Sequence, residues 1–271
     1  MPYGLCKLCL LPNELADSHL IPRAAFWHLR NTVDGPANPM LGHYRPEENR
    51  FALVETSKHV NDFVFCHSCE DIFNKGGEAW TLDRLAETDT SPLFHVLSKL
   101  SPLLDDKEKD FRVFRTDGLN EFDTRKITHF GVGVFLKAAV HAWRVSGVAR
   151  KLHFGPYEGP LRAFILGKSE FPQHCHLMFC VQPPSPRKVI SLPYEWQKRS
   201  CRSYSFEVVG LEFVLSLGKQ IPIWQKDLNF PTHPYRPVIS TSFGQKINEE
   251  LTRRLVHGGH AKGNLGKKIY G

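Results

Sequence analysis

No apolar run in the 271 residues approaches the roughly 20 that a bilayer-spanning helix needs. The opening Met1-Pro2-Tyr3-Gly4 has neither the charged leader nor the apolar core of a secretory signal. Together these absences give the expectation of a cytoplasmic protein with no membrane partner. Cysteine is sparse, with seven in the chain, too few for a disulfide scaffold. There is no internal repeat and no Gly-rich phosphate loop, so a nucleotide-hydrolysing reading has little to stand on. Nor is the sequence short of core material: 41% hydrophobic against 23% charged residues argues against wholesale disorder.

A chain of this length holds one large domain or two ordinary ones. Its formal net charge of +7 suits a polyanionic partner, although moderate basicity alone also serves solubility.

The cysteines that matter come in pairs. Cys6-Lys7-Leu8-Cys9 and Cys66-His67-Ser68-Cys69 are two C-x-x-C turns, and in a reducing compartment such pairs more often bind metal than cross-link. Four thiolates make a closed tetrahedral site with no open position, so any reaction must use other residues nearby. The expectation is a structural zinc on Cys6, Cys9, Cys66 and Cys69.

Pro12-Asn13 reads as a turn into a strand that carries Asp17-Ser18-His19-Leu20-Ile21 and ends at Pro22. Residues 24–30 read as a short helix, 31–49 as a long loop, and Phe51–Val54 and Asp62–Cys66 as strands. A helix is expected to begin at Cys69, break at Gly76-Gly77 because each glycine costs about 1 kcal/mol there, and resume over Glu78–Leu85.

These features resemble the zinc-containing HNH endonucleases: a C-x-x-C, a hairpin with His in a Ser-His-Leu-Ile-Pro setting, a strand, then a C-x-x-C at a helix start. The resemblance covers roughly residues 1–88. It implies a ββα-metal fold of treble-clef type, with the four cysteines on a structural zinc and His19 as general base on the attacking water. It further implies a catalytic Mg²⁺ or Mn²⁺ held by Glu70, Asn74 and Asp17. Neutral imidazole suits the base, and oxygen ligands suit such an ion. The position before the base is commonly Asp in this family and is Ser18 here; on a strand Asp17 and His19 share a face and Ser18 turns away. Read singly, Glu70 is also a favourable first-turn anion and Asn74 a plain C-terminal cap.

Beyond residue 90 a second domain, 91–271, is expected. Residues 91–104 form an apolar link with a short helix, and 105–110 a solvated charged turn. Ile127–Ser146 reads as a central buried helix whose Lys137, His141 and Arg144 mark one polar stripe, solvated or salt-bridged, with polyanion contact as the alternative. Tyr157–Leu166 is a shorter helix stopped by Gly167, and 174–180 and 203–216 are β-rich. A basic tail with Lys262, Lys267 and Lys268 can lie along phosphates.

The expected class is α+β: a zinc-stabilised ββα-metal (treble-clef) module over 1–90, then a larger α+β domain. The expected activity is metal-dependent hydrolysis of nucleic acid, DNA ahead of RNA. The second domain would serve substrate engagement, homodimerisation or docking of a protein partner. By family analogy alone such modules occur in restriction, anti-phage defence and mobile-element proteins. The competing expectation is a non-catalytic zinc-stabilised adaptor that binds nucleic acid or protein.

Overall fold

The computed structural model describes residues 1–30, 40–45, 50–55, 58–85, 91–108, 111–145, 147–183, 189–197 and 201–241. In chain order the strands are β1 (Tyr3–Leu5), β2 (Pro12–His19), β3 (Met40–Arg45), β4 (Arg50–Glu55), β5 (Asn61–Cys66), β6 (Leu104–Asp106) and β7 (Phe111–Phe114). They continue as β8 (Trp143–Val145), β9 (Val148–Arg150), β10 (Cys175–Val181), β11 (Val189–Gln197), β12 (Arg202–Val208), β13 (Leu211–Leu217) and β14 (Val238–Thr241). The helices are α1 (Arg23–Arg30), α2 (His67–Phe73), α3 (Ala79–Leu82), α4 (Pro92–Leu97), α5 (Thr124–Val140), α6 (Glu158–Ile165) and α7 (Ile223–Asp227). The chain is therefore α+β. No helix among the described residues is long and apolar enough to cross a membrane.

Among the described residues three sheets organise it. A small antiparallel sheet has the order β1-β2-β5. A nine-stranded mixed sheet runs β4-β3-β11-β12-β13-β10-β14-β7-β6, and β8-β9 is a separate hairpin. Its centre, β10 to β13, carries Val, Phe and Leu on the buried face, and β12 turns into β13 through Val209 and Gly210, both at positive φ (49° and 77°). That pair of left-handed residues is the backbone of a type I′ hairpin turn, matched to the right-handed twist of its strands.

Helix α5 lies between this sheet and α2. Asp123 caps its start, accepting from the Lys126 N–H at 3.0 Å, and the indole N–H of Trp143 closes its end on the Lys137 carbonyl at 2.7 Å. Phe213 packs on Gly131 and Phe130 on one side, while Phe73 of α2 packs on Gly133 on the other. A helix covered on both sides needs apolar residues all round, and every residue from Ile127 to Val140 is buried. Burying one such phenylalanine contributes about 1.5–3 kcal/mol. One continuous core joins Cys6, Phe65 and Phe73 to Phe135, Phe179 and Phe213.

Several expectations change. The helix at Cys69 does not break at the glycines: α2 passes through a π-turn, Asn74–Glu78, directly into α3. The glycines are there for closeness, since a Cβ on Gly77 would lie 2.7 Å from the Phe130 N of α5. Of residues 31–49, Met40–Arg45 is a strand that pairs antiparallel with β4 and parallel with β11. The central helix ends at Val140, where His141 turns to φ −139° and ψ 147°, and Trp143–Val145 is strand. Lys137, His141 and Arg144 are therefore no stripe: Lys137 is fully buried, and His141 meets Asp62 of β5 at 2.9 Å. The charged segment 105–110 begins in strand β6; 203–216 is β as expected, as two antiparallel strands. The tail with Lys262, Lys267 and Lys268 lies outside the described residues.

Candidate metal centre and the His19 depression

The first C-x-x-C wraps a tight turn after β1. Cys6 N–H donates to the Leu11 carbonyl and Leu10 N–H to the Cys6 carbonyl, both at 3.0 Å. Leu10 is held at φ 62°, a left-handed conformation that costs an L-residue about 1–2 kcal/mol. Lys7 N–H pins the turn to Val64 of β5 at 3.1 Å. From α6, Arg162 Nη1 donates to the Lys7 and Leu8 carbonyls, and Glu158 steadies the guanidinium at 2.7 Å.

The second pair sits where β5 becomes α2. Cys66 is the N-cap and Cys69 lies in the first turn, a spacing that puts both sulfurs on one side of the helix start. Cys66 N–H donates to Cys6 Sγ at 3.4 Å, and Cys9 Sγ lies 4.0 Å from Cys66 Sγ. All four sulfurs fall within 4.8 Å of one another. Four thiolates at about 2.3 Å from an ion stand about 3.8 Å apart, so the cluster has the size to hold a metal ion. Among the described residues no other group of three or more His, Cys, Asp and Glu is so close.

The thiols are already differentiated. A hydrogen bond from Cys69 pushes Cys6 down to about 4 against the effect of burial, with N–H groups of Cys66, Cys9 and Leu8 adding to it. That same bond holds Cys69 far above the ordinary thiol range, and burial raises Cys9. Ion binding must therefore release protons from this cluster.

Strand alternation sorts the residues around His19. Ser18 is fully buried: its hydroxyl accepts from Phe65 N–H at 3.0 Å and donates to the Ala16 carbonyl at 3.3 Å. Asp17 and His19 turn outward, as period two requires. Asp17 Oδ1 accepts from Asn61 Nδ2 at 2.7 Å, and the His19 and His59 rings are 5.3 Å apart. With Arg23 and Lys58 these four line a surface depression of about 370 Å³. Burial, helped by Lys137 and Arg23 and opposed by Asp17, lowers the His19 pKa below 6.5. Burial also lowers His59, with His19, Arg30 and Arg23 adding to the effect. Both imidazoles are thus neutral at neutral pH.

Glu70 lies on the inner side. Burial pushes its carboxyl up, while Lys137 and the Ser18 hydroxyl beside it oppose the shift. Lys137 Nζ is 2.6 Å from Glu78 Oε1 and 3.3 Å from the His19 carbonyl oxygen. Asn74 is exposed at the start of the π-turn. The structure thus brings Asp17 and His19 together and sets Glu70 behind Ser18.

A catalytic Mg²⁺ or Mn²⁺ on Asp17, Glu70 and Asn74 does not fit this arrangement. The orphaned, buried Glu70 Oε1 is the one feature in its favour. Asp17, however, faces away from Glu70 across β2, and the charge beside Glu70 is already an ammonium. At an effective dielectric of 20, two unit charges 4 Å apart repel by about 4 kcal/mol, and a divalent ion would meet about twice that.

A second cavity, of about 480 Å³, has a mainly apolar lining that includes Leu20, Trp143, Leu152 and Leu192.

Comparison of the chain with protein-family models, with curated proteins and with solved structures finds no match in any of the three.

Sequence reasoning missed His59, Asn61, Arg23 and Lys58. The register of β2 on β5, with His19 opposite Asn61, places Lys58, His59 and Asn61 at the depression, while Arg23 reaches it from the start of α1 just after β2. Lys137 carried a signal, a lysine within a wholly apolar helix, which its spacing to His141 and Arg144 disguised.

Proposed function

We propose that this chain is a zinc-stabilised nuclease of HNH-like, treble-clef type that hydrolyses phosphodiester bonds at the His19 depression, with DNA the first substrate to test and RNA the second. One observation carries the reading: the strand pair that supports the four-cysteine cluster also presents His19 outward, beside two cationic side chains, Arg23 and Lys58. Zinc is the ion that suits four thiolates, and its closed coordination makes it structural.

The chemistry follows from the groups at hand. Arg23 and Lys58 attract the phosphodiester and offset its charge. Neutral His19 takes a proton from water, and the water oxygen bonds to phosphorus. The bond from phosphorus to the leaving oxygen breaks heterolytically, and that oxygen takes a proton from solvent. The products are a phosphate monoester and an alcohol. His59, its ring 5.3 Å from that of His19, flanks the base, and the basic tail with Lys262, Lys267 and Lys268 adds salt-sensitive affinity.

A second reading, a non-catalytic adaptor for nucleic acid or a protein partner, draws support from Lys137, which stands against the helix-side carboxylate. Cleavage of plasmid DNA and of RNA at low salt, beside His19→Ala shown to keep its zinc, decides between them. Cutting that vanishes in the variant supports the nuclease. No cutting in any divalent ion, by protein with its zinc intact, rejects it in favour of the adaptor.

A further inference from the structure

Lys137 stands beside His19 but has no part in the steps above. It grows from the middle of the most buried helix, with 1% of its side chain exposed. An ammonium there is retained only where its charge is matched and its donors are used. Three partners surround Nζ: Glu78 Oε1 at 2.6 Å, the His19 carbonyl oxygen at 3.3 Å and the face of Phe73, 4.5 Å to the ring centroid. Glu70 on α2 also feels this charge.

We propose that Lys137, ion-paired with Glu78, is the fixed cation of the site, supplying as part of the chain the positive charge beside Glu70 for which the HNH-like resemblance calls on a divalent ion, and positioning His19 through its backbone carbonyl. The inference rests on reading the His19 depression as a phosphodiester site. It follows that the protein works with its cysteine-bound ion alone. A fixed ammonium also has an effect that a bound ion has only when loaded: it constantly disfavours the protonated form of His19. The groups facing that imidazole are Asp17 on β2, Arg23 on α1, Lys58 and His59 before β5, and Lys137 on α5. Asp17 alone among them favours the protonated form. Lys137 is thus a positioning residue, buried away from the substrate.

The test uses full-length protein with its zinc content verified and other divalent ions removed. Mn²⁺ binding is read by electron paramagnetic resonance, and cleavage of labelled DNA and RNA is followed with and without added Mg²⁺. The expected results are no stoichiometric Mn²⁺ binding and cleavage that does not depend on Mg²⁺. Lys137→Met should lower kcat/KM on the order of 100-fold, the scale of a displaced catalytic group. Its acid limb should move to higher pH, because His19 loses a positive neighbour, and Lys137→Arg should recover part of the rate. One Mn²⁺ per chain, or cleavage that requires Mg²⁺, overturns the proposal and leaves the nuclease reading standing. No cleavage under any condition rejects the nuclease reading instead. If Lys137→Met fails to fold, the wild-type Mn²⁺ measurement still decides whether the site takes an ion, and the rate of Lys137→Arg still decides whether the position of the Lys137 charge matters.

Discussion

Gly76 lies flat against the imidazole of His129: a Cβ at position 76 would stand 2.5 Å from His129 Nε2. The π-turn and α5 approach each other here at backbone distance, which fixes the position of Glu78 relative to Lys137. Alanine would gain about 1 kcal/mol in helix propensity at this site. Overpacking costs about 1–3 kcal/mol and more where backbone must move. Gly76→Ala should therefore be net destabilising, and Gly77→Ala more so, because its new Cβ meets the backbone of Lys126 and Phe130 rather than a side chain. Urea unfolding of the two variants checks the order; a more stable Gly77→Ala would contradict the close packing.

The cysteine cluster should bind one zinc per chain, with release of protons. Cys69→Ser removes the thiol that bridges to Cys6. A structural zinc supplies an apparent free energy on the order of 10 kcal/mol, comparable to the whole stability of a domain. The variant should lose its metal by elemental analysis and fall in Tm by roughly 20 °C. Unchanged metal content would show that these four sulfurs are not the ligands.

Lys137 and Glu78 should behave as a pair. Lys137→Met leaves the Glu78 carboxylate buried without its partner, at a cost of about 3–5 kcal/mol. Adding Glu78→Gln removes the stranded charge and should restore most of that loss. A double-mutant cycle on urea unfolding measures the coupling; additive losses would mean that the ion pair is energetically unimportant.

His129 should make stability depend on pH. Burial, with smaller contributions from Lys126 and Arg125, lowers its pKa below 6.5, against the Ile165 carbonyl and Glu78. Its contribution is complete above the unfolded value of about 6.5 and is lost as pH falls through the lower folded value, because the unfolded chain binds the proton first. His19, His59 and His176 are also lowered by burial and act in the same direction. Glu70 and Glu212, raised by burial, act in the opposite direction. The comparison that isolates His129 is with His129→Gln, whose amide can still donate to Ile165. Its Tm should fall less than that of the wild type between about pH 7 and 5.5, and equal slopes would exclude His129 as the source.

Local chemistry determined much of this protein from sequence alone. The C-x-x-C spacing lets a chain bend around one face of an ion, so two such pairs made Cys6, Cys9, Cys66 and Cys69 legible as a set. Period two placed Asp17 and His19 on one face with Ser18 on the other. The apolar run starting at Ile127 declared a buried helix, though not its end at Val140, and Gly167, at φ 67°, stopped α6 where expected. Tertiary structure decided what those elements meet. His59 reaches His19 only through the β2–β5 register. Lys137 reaches Glu78 only because two glycines let the π-turn press against α5. Residues 40–45 become a strand by pairing with β4 on one side and taking the edge that β11 offers on the other. Such partners lie tens to more than a hundred residues away, and their pairing depends on burial and register, which no local propensity encodes.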